Sequence, residues 1–144
     1  MYNYRHSAYF VKTVIQAREW ENYSNNLAIF AGACQSYYEA LIQAGANFAS
    51  SPARILIDFV DPLIVAENIA ITDRNKFVSI KDFEKELRDG QRGISGIGVF
   101  GKKISTWSKT HKIKCPWQTI YIFGYEHFIL LISTNTSSII FRYI

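Results

Sequence analysis

The sequence is poor in the residues that mark extracellular scaffolds, fibrous chains and disordered tails. Two cysteines, Cys34 and Cys115, in 144 residues are far fewer than a disulfide-stapled secreted domain uses. Three prolines and a charged fraction of 19% exclude a collagenous or mucin-like chain and a wholly disordered polyelectrolyte. Long apolar runs are missing too. The uncharged run at residues 128–141 is interrupted by six polar residues at 133–138, whereas a spanning helix needs about twenty apolar residues. No apolar run follows a basic start at the N-terminus, so the expectation is a cytosolic chain with reduced thiols.

What is present is apolar and aromatic. Hydrophobic residues make up 49% of the chain and aromatic ones 15%, enough for the core of one domain. The charge is uneven. Residues 1–101 carry ten Lys and Arg against eleven acids, a net of −1, and residues 102–144 carry six against one, a net of +5. Five of those six are Lys102, Lys103, Lys109, Lys112 and Lys114, with no acid between them. A lysine cluster of this kind suits an anionic surface, lipid headgroup or phosphate backbone, because each ammonium supplies point charge without fixed geometry. It equally suits a solvated connector.

Periodicity predicts helices in the first two-thirds. Phe10, Val14, Ala17, Trp20 and Glu21 recur at helical steps over about residues 9–23. Leu27, Phe30, Ala31, Cys34, Tyr37, Tyr38, Leu41, Ala44 and Phe48 do so over residues 27–48. From 53 to 89 a three-four alternation runs through Leu56, Phe59, Leu63, Ala66, Ala70, Asp73, Phe77, Ile80, Glu84 and Leu87, which predicts a long packed helix kinked at Pro62. Its β-branched content supports a second parse, with strands at 55–60 and 76–80 and a short helix from Ser79, where Ser79 and Asp82 resemble a capping pair. Five glycines between Gly90 and Gly101 end any helix, and apolar runs at 117–123, 128–132 and 139–143 read as short strands. The expected architecture is mainly α: a helical hairpin or kinked helices over 9–89, then a short-stranded or poorly ordered tail, with a single α+β domain as the alternative. The expected division falls between a helical region, 1–92, and a Gly/Lys-rich connector with apolar tail, 93–144.

The chemistry-bearing residues form no complete catalytic set in sequence. Gly96-Ile97-Gly98-Val99-Phe100-Gly101 matches G-x-G-x-x-G, but neither a preceding strand nor a later acid accompanies it, so it reads as a turn or hinge. His111 and Cys115 are two candidate metal ligands where a structural zinc site takes four. Cys34 reads as a small core residue on its helix and Cys115 as an isolated thiol. Asp58 and Asp61 could share a proton, or cap the bend at Pro62. The expectation is therefore a protein that is not an enzyme and binds no cofactor or metal.

The run from Ala53 to Glu67, with Asp61-Pro62-Leu63 inside an amphipathic stretch, resembles the middle of a BAR domain, where a long helix carries an acid and Pro-Leu at its kink. The resemblance covers about residues 20–92. It implies a homodimer joined along a helical seam of Leu56, Phe59, Leu63, Phe77, Ile80 and Leu87. It also implies a peripheral membrane location in the cytoplasm, with the lysine cluster against an anionic bilayer. The alternative is a small basic α+β domain that binds nucleic acid or protein.

Overall fold

The six residues that open the expected helix at 27–48, Leu-Ala-Ile-Phe-Ala-Gly, are a strand buried along its whole length. This is seen in the computed structural model, which describes residues 7–22, 26–32, 36–103, 120–121 and 128–133. The described chain runs α1 (Ser7–Trp20), β1 (Leu27–Gly32), α2 (Tyr38–Gln43), β2 (Phe48–Ser50), α3 (Asp61–Ile71), β3 (Phe77–Val78), β4 (Ile94–Gly96), β5 (Val99–Phe100), β6 (Ile120–Tyr121) and β7 (Phe128–Ser133). Two 3-10 turns, Ile80–Asp82 and Gly90–Arg92, lie between β3 and β4.

The fold is α+β, not mainly helical. A mixed five-stranded sheet has the order β4-β2-β1-β7-β6. β1 and β2 are parallel, with Phe30 opposite Phe48 and Ala31 opposite Ala49, and α2 is the crossover between them. β7 lies antiparallel on the other side of β1, pairing Leu27 with Ser133 through to Gly32 with Phe128. β4 runs antiparallel to β2. A separate ribbon pairs β3 with β5.

The period-two pleat of β1 explains why both its faces are apolar. Leu27, Ile29 and Ala31 pack with Phe10, Val14 and Ala17 of α1 and Leu41 of α2. Ala28 and Phe30 point the opposite way, into a cluster with Val65, Ala66 and Ile69 of α3 and with Val78, Ile80, Phe83, Leu87, Ile94 and Val99. Phe48 of β2 joins this second cluster and meets Phe83 at 6.0 Å between ring centroids.

Two helical expectations are thus corrected. Over 27–48 a short apolar run satisfies helical spacing by being apolar everywhere; burial on two faces and pairing on two edges decide for strand. Over 53–89 Pro62 does not kink a long helix. It sits in the first turn of α3, where a missing N–H costs nothing, and the helix ends at Thr72, whose backbone is extended. Residues 54–58 belong to neither helix nor strand. The expected seam is consequently not one stripe: Leu56, Phe59, Leu63 and Phe77 are exposed on different elements, while Ile80 and Leu87 are core. The helix over 9–23 is present as α1, and Ser79 does cap a turn, accepting from Lys81 while the Asp82 carboxylate accepts from the Ser79 N–H at 2.7 Å.

The G-x-G-x-x-G run is β4, a turn and β5. A Cβ on Gly96 would stand 2.1 Å from the Asn47 carbonyl oxygen and 2.8 Å from the Phe48 Cα, so the β2–β4 pairing requires glycine there. Gly96→Ala is expected to destabilise the protein by about 2–3 kcal/mol through overpacking against backbone. Gly93→Ala, whose Cβ would meet its nearest neighbours at 3.4 and 3.6 Å, ordinary contact distances, should cost less than about 1 kcal/mol because no clash accompanies it. Urea denaturation of the two variants side by side measures the difference.

Candidate functional site

The parallel pair β1–β2 has two unlike ends. At its amino end sits an ion pair with almost no access to solvent. Arg18, on the last turn of α1, and Glu21, just beyond it, are each 4% exposed at the side chain and are joined through Arg18 Nη1 and Glu21 Oε1. The guanidinium donates further to the carbonyl oxygens of Gly45 at 2.7 Å and Leu27 at 2.9 Å, and to Asn47 Oδ1. Glu21 accepts from the Leu27 N–H at 2.7 Å. Asn47 Oδ1 also accepts from the Ile29 N–H at 2.9 Å, and its amide donates to the Gly98 carbonyl at 3.2 Å. One cation thereby fastens α1, the start of β1, the α2–β2 turn and the β4–β5 turn. Its polar capacity is spent on structure.

The carboxyl end is built differently. In open α/β sheets ligands bind outside the carboxyl ends of parallel strands, and here Gly32 ends β1 and Ser50 ends β2. Gly32 has φ +120, and a Cβ on it would meet the Ser50 hydroxyl at 2.7 Å and the Ser36 hydroxyl at 3.1 Å. Ser36, Ser50 and Ser51 are buried. The Ser51 hydroxyl accepts from the Ile55 N–H at 2.8 Å and donates to its carbonyl at 2.9 Å, closing a turn. Arg54, at φ 55, reaches back from that turn to Glu39 of α2 at 3.2 Å and lies 6.0 Å over the Tyr37 ring. The Glu39 carboxyl is held below its ordinary 4.5, first by a backbone hydrogen bond at the start of α2 and then by Arg54, with burial opposing. A lowered carboxyl contributes fully above 4.5, and that contribution fades as pH falls through the lowered value. Arg54 and Glu39 therefore form a charged rim around the strand ends at neutral pH.

Of the other expected site residues, those that the structure describes are dispersed. Lys102 is buried and its N–H donates to the Ile69 carbonyl. Burial holds its ammonium below the ordinary lysine range; Glu21 opposes this, and Arg74 and Arg18 add to it. Lys103 is exposed and pairs with Asp73 at 3.6 Å. Lys109, Lys112 and Lys114 lie outside the described residues, as do His111, Cys115 and Cys34. Asp61 is buried and caps: its carboxylate accepts from the N–H groups of Asp58 and Arg88. Among the described residues no group of three His, Cys, Asp or Glu is placed to hold a metal, and no helix is long and apolar enough to cross a membrane.

The family model described as YabG peptidase U57 matches residues 1–107. The chain belongs to the YabG peptidase U57 family. The sporulation-specific protease YabG of Bacillus subtilis (strain 168) is 42% identical over 98 residues, which cover 68% of this chain and 34% of that protein. The chain thus spans about a third of the length of the curated relative it matches. No solved structure matches. Membership in this peptidase family overturns the BAR resemblance, and with it the membrane-scaffolding function, the nucleic-acid alternative and the expectation of a protein that is not an enzyme. Pro-Leu in an amphipathic stretch is met by any helix that starts at proline, which is how α3 uses it.

Sequence periodicity missed Arg18, Asn47 and the strand end at Gly32. A signal for the last was present: an apolar run closed by glycine, then Ala-Cys-Gln-Ser, then a helical pattern, the order of a strand, a turn and a helix. Arg18→Met is expected to cost about 3–5 kcal/mol, since it leaves the Glu21 carboxylate buried without its partner. Adding Glu21→Gln should recover part of that loss, so the two changes are strongly non-additive in a double-mutant cycle. Additive losses by denaturant titration would show that the pair is not coupled.

Proposed function

We propose that this chain supplies part of the active centre of a peptidase that works during sporulation, with Cys34 as nucleophile. The match of residues 1–107 to the peptidase family carries the reading. The position of Cys34 in the sequence supports it: two residues after the end of β1 and two before Ser36. Chemistry supports it as well. A thiol ionises near pH 8.5 and attacks carbonyl carbon as a thiolate, whereas a serine hydroxyl depends on a partner base. Ser51 is already engaged at both its donor and acceptor sites in the turn with Ile55.

In the proposed reaction the Cys34 sulfur bonds to the scissile carbonyl carbon. The carbon–nitrogen bond then breaks, the amine leaves with a proton, and water hydrolyses the thioester to regenerate the thiol. His6, His111 and His127 are the histidines of the chain, and each is a candidate for the proton transfers. Cys34→Ala should abolish hydrolysis of a quenched-fluorescence casein, a loss on the order of 1,000-fold or more for a nucleophile, while Cys115→Ala leaves it unchanged. Iodoacetamide at neutral pH should alkylate Cys34 faster than Cys115. Wild-type protein with neither casein hydrolysis nor preferential Cys34 alkylation, or hydrolysis surviving Cys34→Ala, would overturn the reading.

A further inference from the structure

The segment that leaves the carboxyl end of β2 has an unusual surface. Within nine residues it exposes Leu56 at 67%, Phe59 at 75%, Val60 at 40% and Leu63 at 44%. Large exposed apolar side chains close together in sequence are a feature of interaction sites when they share a surface. The backbone is open as well. Residues 54–58 belong to no helix or strand, and neither the N–H nor the carbonyl of Ile57 has a hydrogen-bond partner among the described residues. The Leu56 carbonyl is taken by the Arg88 guanidinium, but the Leu56 N–H has no such partner. Backbone groups left without a partner are stable only where water or a ligand reaches them.

Leu56 and Phe59 point outward, while Ile57 is half-buried and its side chain lies close to Gly93, 3.6 Å from where a Cβ on that glycine would stand. The segment thus combines exposed apolar side chains with open main-chain groups at Leu56 and Ile57. It is also continuous with the candidate site: the segment begins at Ile55, doubly bonded to Ser51, and follows Arg54, which pairs with Glu39 on α2.

We propose that residues 55–63 are the docking strip for the substrate polypeptide, which lies extended against Leu56–Ile57 and sets apolar side chains on Leu56, Phe59 and Leu63. The proposal rests on the peptidase reading, which makes the ligand a polypeptide. Strand addition supplies main-chain hydrogen bonds for affinity and side-chain pockets for selectivity. A second copy of the chain is the weaker occupant, because four large apolar side chains on nine residues are few beside the roughly 20–30 residues a side that a stable protein interface uses. The substrate class that follows is an unfolded or extended segment with alternating apolar residues.

The probe is a fluorescein-labelled ten-residue peptide alternating Val and Lys, compared with one alternating Ser and Lys, titrated by anisotropy against the Cys34→Ala protein so that nothing is cleaved. The Val peptide should bind at least about tenfold more tightly. Leu56→Ser with Phe59→Ser should remove that preference, and N-methylation of alternate peptide nitrogens should weaken binding to the same degree. Phe77→Ser, an exposed aromatic on β3, serves as the control and should change nothing. Thermal melting by circular dichroism confirms that the variants fold.

Equal binding of the two peptides, or binding indifferent to Leu56 and Phe59, overturns the proposal. So does a Leu56→Ser, Phe59→Ser variant that sediments as a smaller species while binding peptide unchanged, which would assign the strip to a second copy. The two readings fail separately. Strip-dependent peptide binding without Cys34-dependent hydrolysis removes the peptidase reading and the strip's role as its substrate site. Cys34-dependent hydrolysis without strip-dependent binding removes this inference alone.

Discussion

The Arg18 guanidinium is the interaction on which the arrangement of the elements depends. It is buried, and it draws four acceptors from three parts of the chain: Glu21, the Leu27 carbonyl, and the Gly45 carbonyl with Asn47 in the α2–β2 turn. A buried charge is tolerated only when its partners neutralise it and satisfy its donors. Each of these partners must therefore arrive for the others to be stable, and the arrival of all four places α1 against β1, sets the start of β2 beside it, and holds the β4–β5 turn through the Asn47 amide. Apolar packing alone would tolerate slippage of α1 along the sheet. A fork of donors with fixed directions does not.

Placing this network at the amino end of the parallel strands leaves the carboxyl end without structural charge of its own. There the chain puts small and hydroxyl-bearing residues, Gly32, Ser36, Ser50 and Ser51, with the Arg54–Glu39 pair outside them. The division follows from strand direction. Both parallel strands present their ends, Gly32 and Ser50, to the same side, so the chain leaves them from neighbouring points and a site assembled there needs no long-range connection. The exposed apolar strip belongs to the segment after Ser50. Its backbone is held at Ser51–Ile55 and at Arg88–Leu56, which fixes an otherwise irregular segment.

Two lysines of the basic cluster have structural surroundings that their place in the sequence does not reveal. Of the two lysines in the cluster that the structure describes, Lys102 is buried beside α3, with its backbone bonded to Ile69, and Lys103 pairs with Asp73 in a short bridge that closes the chain against the end of α3. Neighbours in sequence face different surroundings here, as expected where the side chains of an extended segment alternate. A charge count along a sequence cannot register that alternation until the strand direction is known.

The sequence by itself determined the features that rest on local rules. Phe10, Val14 and Ala17 at three- and four-residue steps specify α1, because that spacing makes one apolar face on a helix and none on a strand. Ser79 and Asp82 specify a cap, since the bonds close within four residues. The glycine run from Gly90 excluded helix through conformational freedom alone. Tertiary structure decided the rest. Leu27–Gly32 is apolar at every position and so fits helix and buried strand alike; only pairing with β2 on one side and β7 on the other resolves it. Pro62 breaks or begins a helix according to what precedes it, and the turn closed by Ser51 makes it a beginning. Glu21 is one helical step from Arg18, but the other partners of Arg18 stand 9, 27 and 29 residues away, distances over which no sequence period operates, so that network, and the two unlike ends it gives the sheet, exist only once the chain has folded.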